Sequence, residues 1–474
     1  MARDVLRRTT AVDTSTPAVV LKFDPNPMHH GGLGAIRSLG RLGVPVYGVH
    51  ELRLAPAAAS RYLYGRWFWR PDPDNAEKVL TDLAWLADRI GRPAVLVPTD
   101  DAGSIFLAEH GTRLRDRFLF PAPPAELPRR LADKFAMFRM CQLLGVPSPE
   151  TVVPSDEDEA RSFANRVGFP LVAKLVTPWT GTGKRLHSTS IVRDTGHLDD
   201  LLAACERAHA ELMLQEFIPG GPGQDWFFHG YLGRDGRCLP AFTGVKERSY
   251  PAHAGLTSMG RSAPNARLRD EVVRMLTRLR YQGIVDIDVR FDARDGQYKM
   301  LDVNPRLGAQ FRLFRDTGGI DVVLAQYLDL TGQPIAEHDQ VSGRGFVVEN
   351  YDPIAAFRYW RDGELSLRCW LASLRGGPEP AWFAHDDPLP FALMCLRMGW
   401  RAISRPFGGG GSYLAEDQSY FLPGPASRRA AGWIRPFGRS APPEPPGSVM
   451  DPPDDPPIGP TPGPIATTRE GEFR

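Results

Sequence analysis

The 474-residue chain has only five cysteines, at 141, 205, 238, 369 and 395, and no two stand in a CxxC or any other zinc-like spacing. They read as reduced, mostly buried thiols rather than as a metal site or a disulfide framework. A dominant charge is lacking as well: 57 Lys and Arg face 56 Asp and Glu, a formal net charge of +1. No global field therefore draws in nucleic acid or an acidic membrane, and any polyanion must be held by a local site. The Arg7–Arg8 pair is not followed by an apolar run of signal-peptide length. Later apolar stretches are broken by charges well short of the roughly 20 residues that span a bilayer. The expected compartment is the cytoplasm. Internal repeats are also missing.

What is present is ample core material, with a hydrophobic content of 42%, and a length that suggests about three domains. From Ala18 the order is strand-like AVVLKF, glycine-rich GGLG at 31–34, helix-like AIRSLGRLG and strand-like VPVYGVH. This is a β-loop-α-β unit opening a parallel sheet. A further strand, AVLVP at 94–98, ends at Thr99, Asp100 and Asp101, and polar groups at such strand ends are where these sheets bind small molecules. GGLGAIR lacks the last glycine of GxGxxG, which argues against a nicotinamide site. His29 and His30 are adjacent and read as loop residues, since neighbouring histidines rarely share one ion.

Proline-rich PAPPAELP at 121–128 marks a hinge before RRLADKFAMFRMCQLLG, where Leu131, Phe135, Phe138, Cys141 and Leu144 predict one apolar helical face, closed by Gly145 and Pro147. From 170 onward short strands dominate, with helix-like stretches at about 156–167, 197–209 and 265–280, an α+β pattern. After about 335 tryptophans 360, 370, 382 and 400 suggest a small, largely helical region whose aromatic rings serve as core or domain contacts. GGGG at 408–411 reads as a flexible break. The last 34 residues hold 11 prolines and few large apolar side chains, which predicts a disordered tail.

The chemistry concentrates in GIVDIDVRFDARDGQYKMLDVNPR, 283–306. Alternation puts Asp286, Asp288 and Arg290 on one strand face and Asp302 and Asn304 on one face of the next. If Asp292 pairs near Tyr298, antiparallel counting brings Asp288 opposite Asp302. Facing carboxylates repel unless a cation lies between them, and two carboxylates plus an amide oxygen are a hard-oxygen set suited to Mg2+. The bland alternative is a solvated hairpin face. Arg306, two residues past Asn304, weighs against it, because a guanidinium there suits a carboxylate or phosphate.

Upstream, Lys174 lies in the buried-looking strand PLVAKLV and needs an anion or a path to water. TPWTGTGKR at 177–185 lets backbone N–H groups approach phosphate, but it lacks the P-loop spacing. In LMLQEFIPGGPGQDW a strand ends at Gln215, Glu216, Phe217 and Ile218, offering backbone groups to an adenine edge, with Asp225 available for ribose hydroxyls.

Taken in order, DKFAMFRMCQLLGVPSPET, LVAKL, TPWTGTGK, LQEFIPG, FTGVKERSYP, VDIDVRFD and KMLDVNPR resemble the ATP-grasp superfamily, within it the carboxylate–amine ligases of the D-aspartate ligase-like type. The resemblance spans about residues 18–330. It implies α/β plus α+β architecture: an extension (1–17), a Rossmann-like pre-ATP-grasp domain (18–122), an ATP-grasp domain (123–335, lobes about 123–214 and 215–335), a largely helical C-terminal accessory (336–440) and the tail (441–474). It further implies that Lys134 and Lys174 hold ATP phosphates, that Gly181 and Gly183 close over them, and that Gln215, Glu216 and Ile218 read adenine while Asp225 takes the ribose. Asp288, Asp302 and Asn304 match Mg2+ ligands, for two ions, with Mn2+ as an alternative metal. Asp302 stands where Glu is usual. Arg306 matches a residue holding the acid or the transferred phosphoryl group, and Lys246, Arg248 and Tyr250 a substrate-facing cluster.

The implied activity is ATP-dependent joining of a small-molecule carboxylate to an amine through an acyl phosphate, with no nucleic acid or membrane partner; a homodimer is compatible with it. A kinase or acyl-phosphate former with another acceptor, and a nucleotide-binding scaffold without turnover, are the alternatives. No covalent protein nucleophile is evident.

Overall fold

A computed structural model describes residues 12–404 apart from 73, 177–185, 187–188 and 253–254, with side chains placed as far as 401. All of them belong to the first of two units into which the chain divides, Met1–Gly424 and Pro425–Arg474. Gly181 and Gly183, the GGGG segment and the proline-rich tail lie outside the described residues.

The first sheet is parallel, in the order β3-β2-β1-β4-β5: β1 (Ala18–Leu21), β2 (Val46–His50), β3 (Leu63–Phe68), β4 (Ala94–Pro98) and β5 (Phe118–Leu119). Its central strands are continuous apolar runs because helices cover both faces. Helix α1 (Gly31–Gly40) packs on one face, while α2 (Ala76–Ile90) and α3 (Asp101–His110) cover the other. The chain reverses its direction of sheet growth between β1 and β4, so their carboxyl ends open a crevice. Thr99, Asp100 and Asp101 stand there, as the sequence predicts.

The single helix expected after the hinge is two, α4 (Leu127–Ala132) and α5 (Lys134–Leu144). Asp133 breaks it by taking an extended conformation and accepting a hydrogen bond from Ala136 N, which starts a new helix at Lys134. The buried face is Met137, Phe138, Met140 and Cys141; Phe135, expected in it, is 36% exposed. Gly145, at φ +66°, closes α5 in the left-handed conformation that glycine adopts without a Cβ clash.

A small antiparallel sheet follows, ordered β6-β9-β7-β8, from β6 (Thr151–Val152), β7 (Leu171–Leu175), β8 (Thr189–Val192) and β9 (Leu212–Glu216). Helices α6 (Glu157–Val167) and α7 (Thr195–Ala208) cover it, and Phe163, Leu171, Leu198 and Leu214 form a core of its own. The large sheet has the order β14-β13-β10-β11-β12-β15-β16. Its strands are β10 (Asp225–Leu232), β11 (Cys238–Tyr250), β12 (Leu256–Ser262), β13 (Gly283–Asp292), β14 (Gln297–Asn304), β15 (Gly345–Val347) and β16 (Glu379–Pro380). Helix α8 (Ala266–Arg278) packs Leu268, Val272 and Met275 with Val285, Ile287 and Val289 of β13. Helix α9 (Val322–Leu330) is buried between the two large layers, and Gln326 Nε2 donates to Leu96 O at 2.8 Å.

Residues after 335 contribute more than the helices α10 (Asp352–Arg361), α11 (Leu367–Arg375) and α12 (Leu389–Ser404), since β15 and β16 extend the large sheet. This segment also straps the first domain. Arg37, fully buried on α1, donates through Nε to Asp387 Oδ2 at 2.9 Å and through its Nη atoms to the carbonyls of Trp382 and Asp387 at 2.8 Å. Trp382 is buried and Trp370 Nε1 donates to Asp352, whereas Trp360 and Trp400 are exposed. The thiols are free, but only Cys141 and Cys205 are buried; Cys369 and Cys395 are exposed, so "mostly buried" does not hold. Among the described residues no helix is long and apolar enough to cross a membrane.

Candidate active site

The acidic hairpin forms with Asp288 opposite Asp302 and Asp286 opposite Asn304. The route to that register differs from simple counting. At the turn Asp292 pairs with Gln297, one residue short of the assumed pairing, and a bulge between the Val289–Met300 and Asp288–Asp302 pairs restores it. The bulge therefore aims the two carboxylates at each other. Val285, Ile287 and Val289 face the core at 1% exposure or less, which commits Asp286 and Asp288 to the other side. That side is not a solvated hairpin face, for Asp286 is only 3% exposed.

Cations gather over this face. Lys246 reaches across β10 and its Nζ lies 2.9 Å from Asp288 Oδ1. Burial alone would weaken its charge, yet Asp288, with Asp225 and Asp286 beyond it, raises its pKa. Burial pushes Asp288 up, Lys246 opposes this, and the charges of Asp286 and Asp302 add to the upward shift. Lys174 donates to Gln215 Oε1 at 2.9 Å, and Gln215 Nε2 donates to Thr151 Oγ1 at 3.1 Å, so a buried amide aims the lysine. Burial pulls Lys174 down to about 7, the Lys134 charge pulling the same way and Asp302 opposing both. The charges of Lys134 and Asp302 thus both act on Lys174. Arg306 closes the far side of the cleft over this face: Nη2 donates to Asn304 Oδ1 at 3.0 Å and Nη1 to Asp286 Oδ2 at 3.1 Å.

The residues at and beyond the end of β9 have definite tasks. Glu216 receives Arg294 Nη2 at 2.5 Å and Glu150 N at 3.2 Å on its carboxylate. Ile218 is buried and its carbonyl accepts from Arg290 Nη1 at 3.0 Å. The same guanidinium clamps Asp225 at 2.6 and 3.0 Å, so the carboxylate expected to take ribose hydroxyls also anchors the segment after β9.

Arg248 is the clear correction. Pairing irregularities on both sides of it break the alternation that would set it beside Lys246. Its guanidinium instead grips Asp352 at 2.8 and 3.0 Å, with side chains 7% and 1% exposed. Tyr250 likewise stacks on Tyr351, centroids 5.0 Å apart. Arg248 and Tyr250 thus dock the segment around α10, and of the expected cluster Lys246 is the member set against the acidic hairpin.

Two site residues escape the sequence reading. His229, opposite Asp286 in register, lies with Nε2 2.9 Å from Asp286 Oδ1 and completes the mounting of Arg306. Gly308 makes this approach feasible, because a Cβ there would sit 2.4 Å from His229 Cε1 and 2.6 Å from Asp286 Cγ. A histidine within the apolar strand WFFHGYL was the available signal. Of the expected histidine pair, His30 packs against Phe346 and Trp382.

Among the described residues no three His, Cys, Asp or Glu side chains form a ready metal cage. Mg2+ does not need one, since it takes one or two carboxylates and completes its shell with water and phosphate. Asp288 Oδ1 is buried with the Lys246 ammonium 2.9 Å away, and a second carboxylate, Asp302, stands directly opposite in register. The donor set fits a hard divalent cation on Asp288, Asp302 and Asn304.

No family model matches the chain. It is similar in sequence to D-aspartate ligase from Enterococcus faecium, at 23% identity over 228 residues, covering 45% of this chain and 53% of the ligase. It is also similar to the carbamoyl phosphate synthase large chain from Thermus thermophilus, at 33% identity over 118 residues, 24% of this chain and 10% of that one. The chain thus spans about half of the one relative and a tenth of the other. In fold it is similar to a biotin carboxylase domain of 2-oxoglutarate carboxylase from Hydrogenobacter thermophilus, solved with MgADP, ADP and bicarbonate (18% identity, 69% of this chain and 72% of that chain, TM-score 0.50). The N5-carboxyaminoimidazole synthetase from Staphylococcus aureus is similar too (11% identity, 70% and 81%, TM-score 0.51). The parallel sheet, the small antiparallel sheet and the large sheet together have the ATP-grasp fold that these two solved structures share.

Proposed function

We propose that the protein is a cytoplasmic, ATP-dependent ligase that joins a small carboxylate to an amine through an acyl phosphate, releasing ADP and phosphate. The observation that carries this reading is the facing Asp288–Asp302 pair with Lys174, Lys246 and Arg306 around it. A carboxylate is a poor electrophile at neutral pH, and phosphorylation turns its oxygen into a leaving group. Such transfer needs alignment and charge neutralisation rather than a protein nucleophile. Lys134 and Lys174 would hold the phosphates, Gly181 and Gly183 would cover them, Gln215, Glu216 and Ile218 would border the adenine and Asp225 the ribose. Arg306, held rigid by Asn304, Asp286 and His229, would orient the acid, and Lys246 would screen the charge that builds during transfer. Asp288, Asp302 and Asn304 would hold one or two Mg2+ ions, which when bound neutralise the charge of the transferring phosphoryl group.

ADP release from ATP with amino acids supplied in pairs, D-aspartate first among the acids, followed by mass determination of the product, tests this reading. Release that needs both an acid and an amine, with a product equal to their sum less water, is the expected result. Release with an acid alone points to a kinase or acyl-phosphate former, and none with any pair points to a scaffold.

The low pKa of Lys174 adds a second expectation. At about pH 8 the free enzyme holds this lysine largely neutral, and a triphosphate beside it restores the charge, so nucleotide binding takes up a proton. Titration calorimetry in buffers of different ionisation enthalpy should show an uptake approaching one proton, lost in Lys174→Met and fading as the pH falls below about 7. Equal uptake in the variant would assign the proton elsewhere.

A further inference from the structure

The ligase reading draws its groups from residues 134–306, but the cleft has another wall, the carboxyl end of β4. Two adjacent acids there differ in what they touch. Asp100 commits both oxygens to backbone: Oδ1 accepts from Gly103 N at 2.8 Å, and Oδ2 accepts from Phe23 N at 2.6 Å and Asp24 N at 3.0 Å. Asp101 opens α3 without such ties. Its side chain is 13% exposed, and its Oδ1 is buried and accepts no hydrogen bond among the described residues. Arg306 Nε stands 3.5 Å from that oxygen, beyond a normal hydrogen bond, while the Nη atoms engage Asp286 and Asn304. That oxygen thus has the Arg306 charge as an ion-pair partner but no hydrogen bond, and it keeps its acceptor capacity for a donor from a ligand.

From this placement we infer that Asp101 receives the amine substrate: its carboxylate holds the ammonium of the incoming molecule and takes the proton that must leave before the nitrogen attacks. The inference rests on the ligase reading and adds to it the group that handles the nucleophile. Arg306, which orients the acid, is the neighbour of Asp101, so an ammonium held on Oδ1 lies beside the acyl group. The ammonium gives one proton to Asp101 and its freed lone pair forms the C–N bond to the acyl carbon. The C–O bond to phosphorus-bound oxygen breaks with its electron pair leaving on phosphate, and the second nitrogen proton departs with phosphate. Asp101 then returns its proton to solvent. Burial raises the Asp101 carboxyl to about 6; Arg306 opposes this, and Asp302, Asp100 and Asp286, the other charges facing it, add to the rise. Tyr281 faces it too, its hydroxyl donating to Ile284 O at 2.7 Å. A base of that strength suits proton removal near neutral pH.

The test uses the full chain with ATP, Mg2+ and a pool of the common amino acids in both enantiomers, which supplies acids and amines together. Hydroxylamine is the second nucleophile, because it is uncharged at neutral pH and brings no ammonium to be held or deprotonated. The wild type should form amides from the pool alone and hydroxamates when hydroxylamine is added. Asp101→Asn should lose about 10²-fold or more of amide formation, with hydroxylamine restoring product formation to within about tenfold of wild type, and Asp101→Glu should recover part of the amide activity. Asp101→Ser, which leaves the Asp100 cap of α3 in place, repeats the comparison if the Asn variant folds poorly. Amide formation unchanged in Asp101→Asn, or lost without rescue by hydroxylamine in both variants, overturns the assignment of Asp101. A wild type that forms neither amide nor hydroxamate overturns the ligase reading instead, so the two failures are distinct.

Discussion

Asp302→Asn is expected to lower ATP turnover by at least about 10³-fold, equivalent to about 4 kcal/mol of lost transition-state stabilisation, while the protein stays folded. Asp288→Asn should behave alike. The two carboxylates face each other across one strand pair, and each raises the electrostatic cost of the other unless a cation is shared. Removing one charge leaves the hairpin and its hydrogen bonds intact but removes half of the charge available to hold Mg2+. Stability should not fall in Asp302→Asn, which relieves repulsion, whereas Asp288→Asn also removes the charge paired with Lys246 and its turnover is therefore normalised to folded protein. Steady-state ADP release and thermal unfolding measured side by side check both parts. Turnover within about threefold of wild type would remove the metal assignment.

Arg248→Met is expected to cost about 3–5 kcal/mol of stability, because it leaves Asp352 charged and 1% exposed without its guanidinium. Asp352 would keep Trp370 Nε1 at 2.9 Å and Ser258 Oγ at 3.3 Å, two neutral donors in place of a bidentate cation. The kcat/KM per folded molecule should be close to wild type, since Arg248 lies away from the cleft. Denaturant unfolding and activity normalised to folded protein separate the two effects. A large fall in kcat/KM with unchanged stability would return Arg248 to the substrate site.

Much of the candidate site was legible in one stretch of sequence. Strand alternation in VDIDVRFD and KMLDVNPR was enough to put Asp288 and Asp302 face to face, and Arg306 on the same side as Asn304. The register came out right for a partly different reason, since the bulge at Leu301 supplies the residue by which the turn falls short. Helix boundaries at 157–167, 195–208 and 266–278 match their predicted spans within about three residues, because caps and apolar periodicity are local signals. The break at Asp133 was missed although its capping chemistry is local, for the apolar period runs on through it.

The remaining features join residues that local patterns cannot relate. Asp101, at the end of the parallel sheet, meets Arg306, just past the end of the large one, Arg248 finds Asp352 from a region that looked like an appended helical part, and Arg37 finds Asp387 across 350 residues. Chain order and side-chain periodicity determined by themselves which strands exist, which way their acids point and which superfamily they resemble. Only the packed structure decided which charges are partners, because ion pairing follows distance and burial, and both arise when separate sheets close over α9 and exclude water from the groups between them.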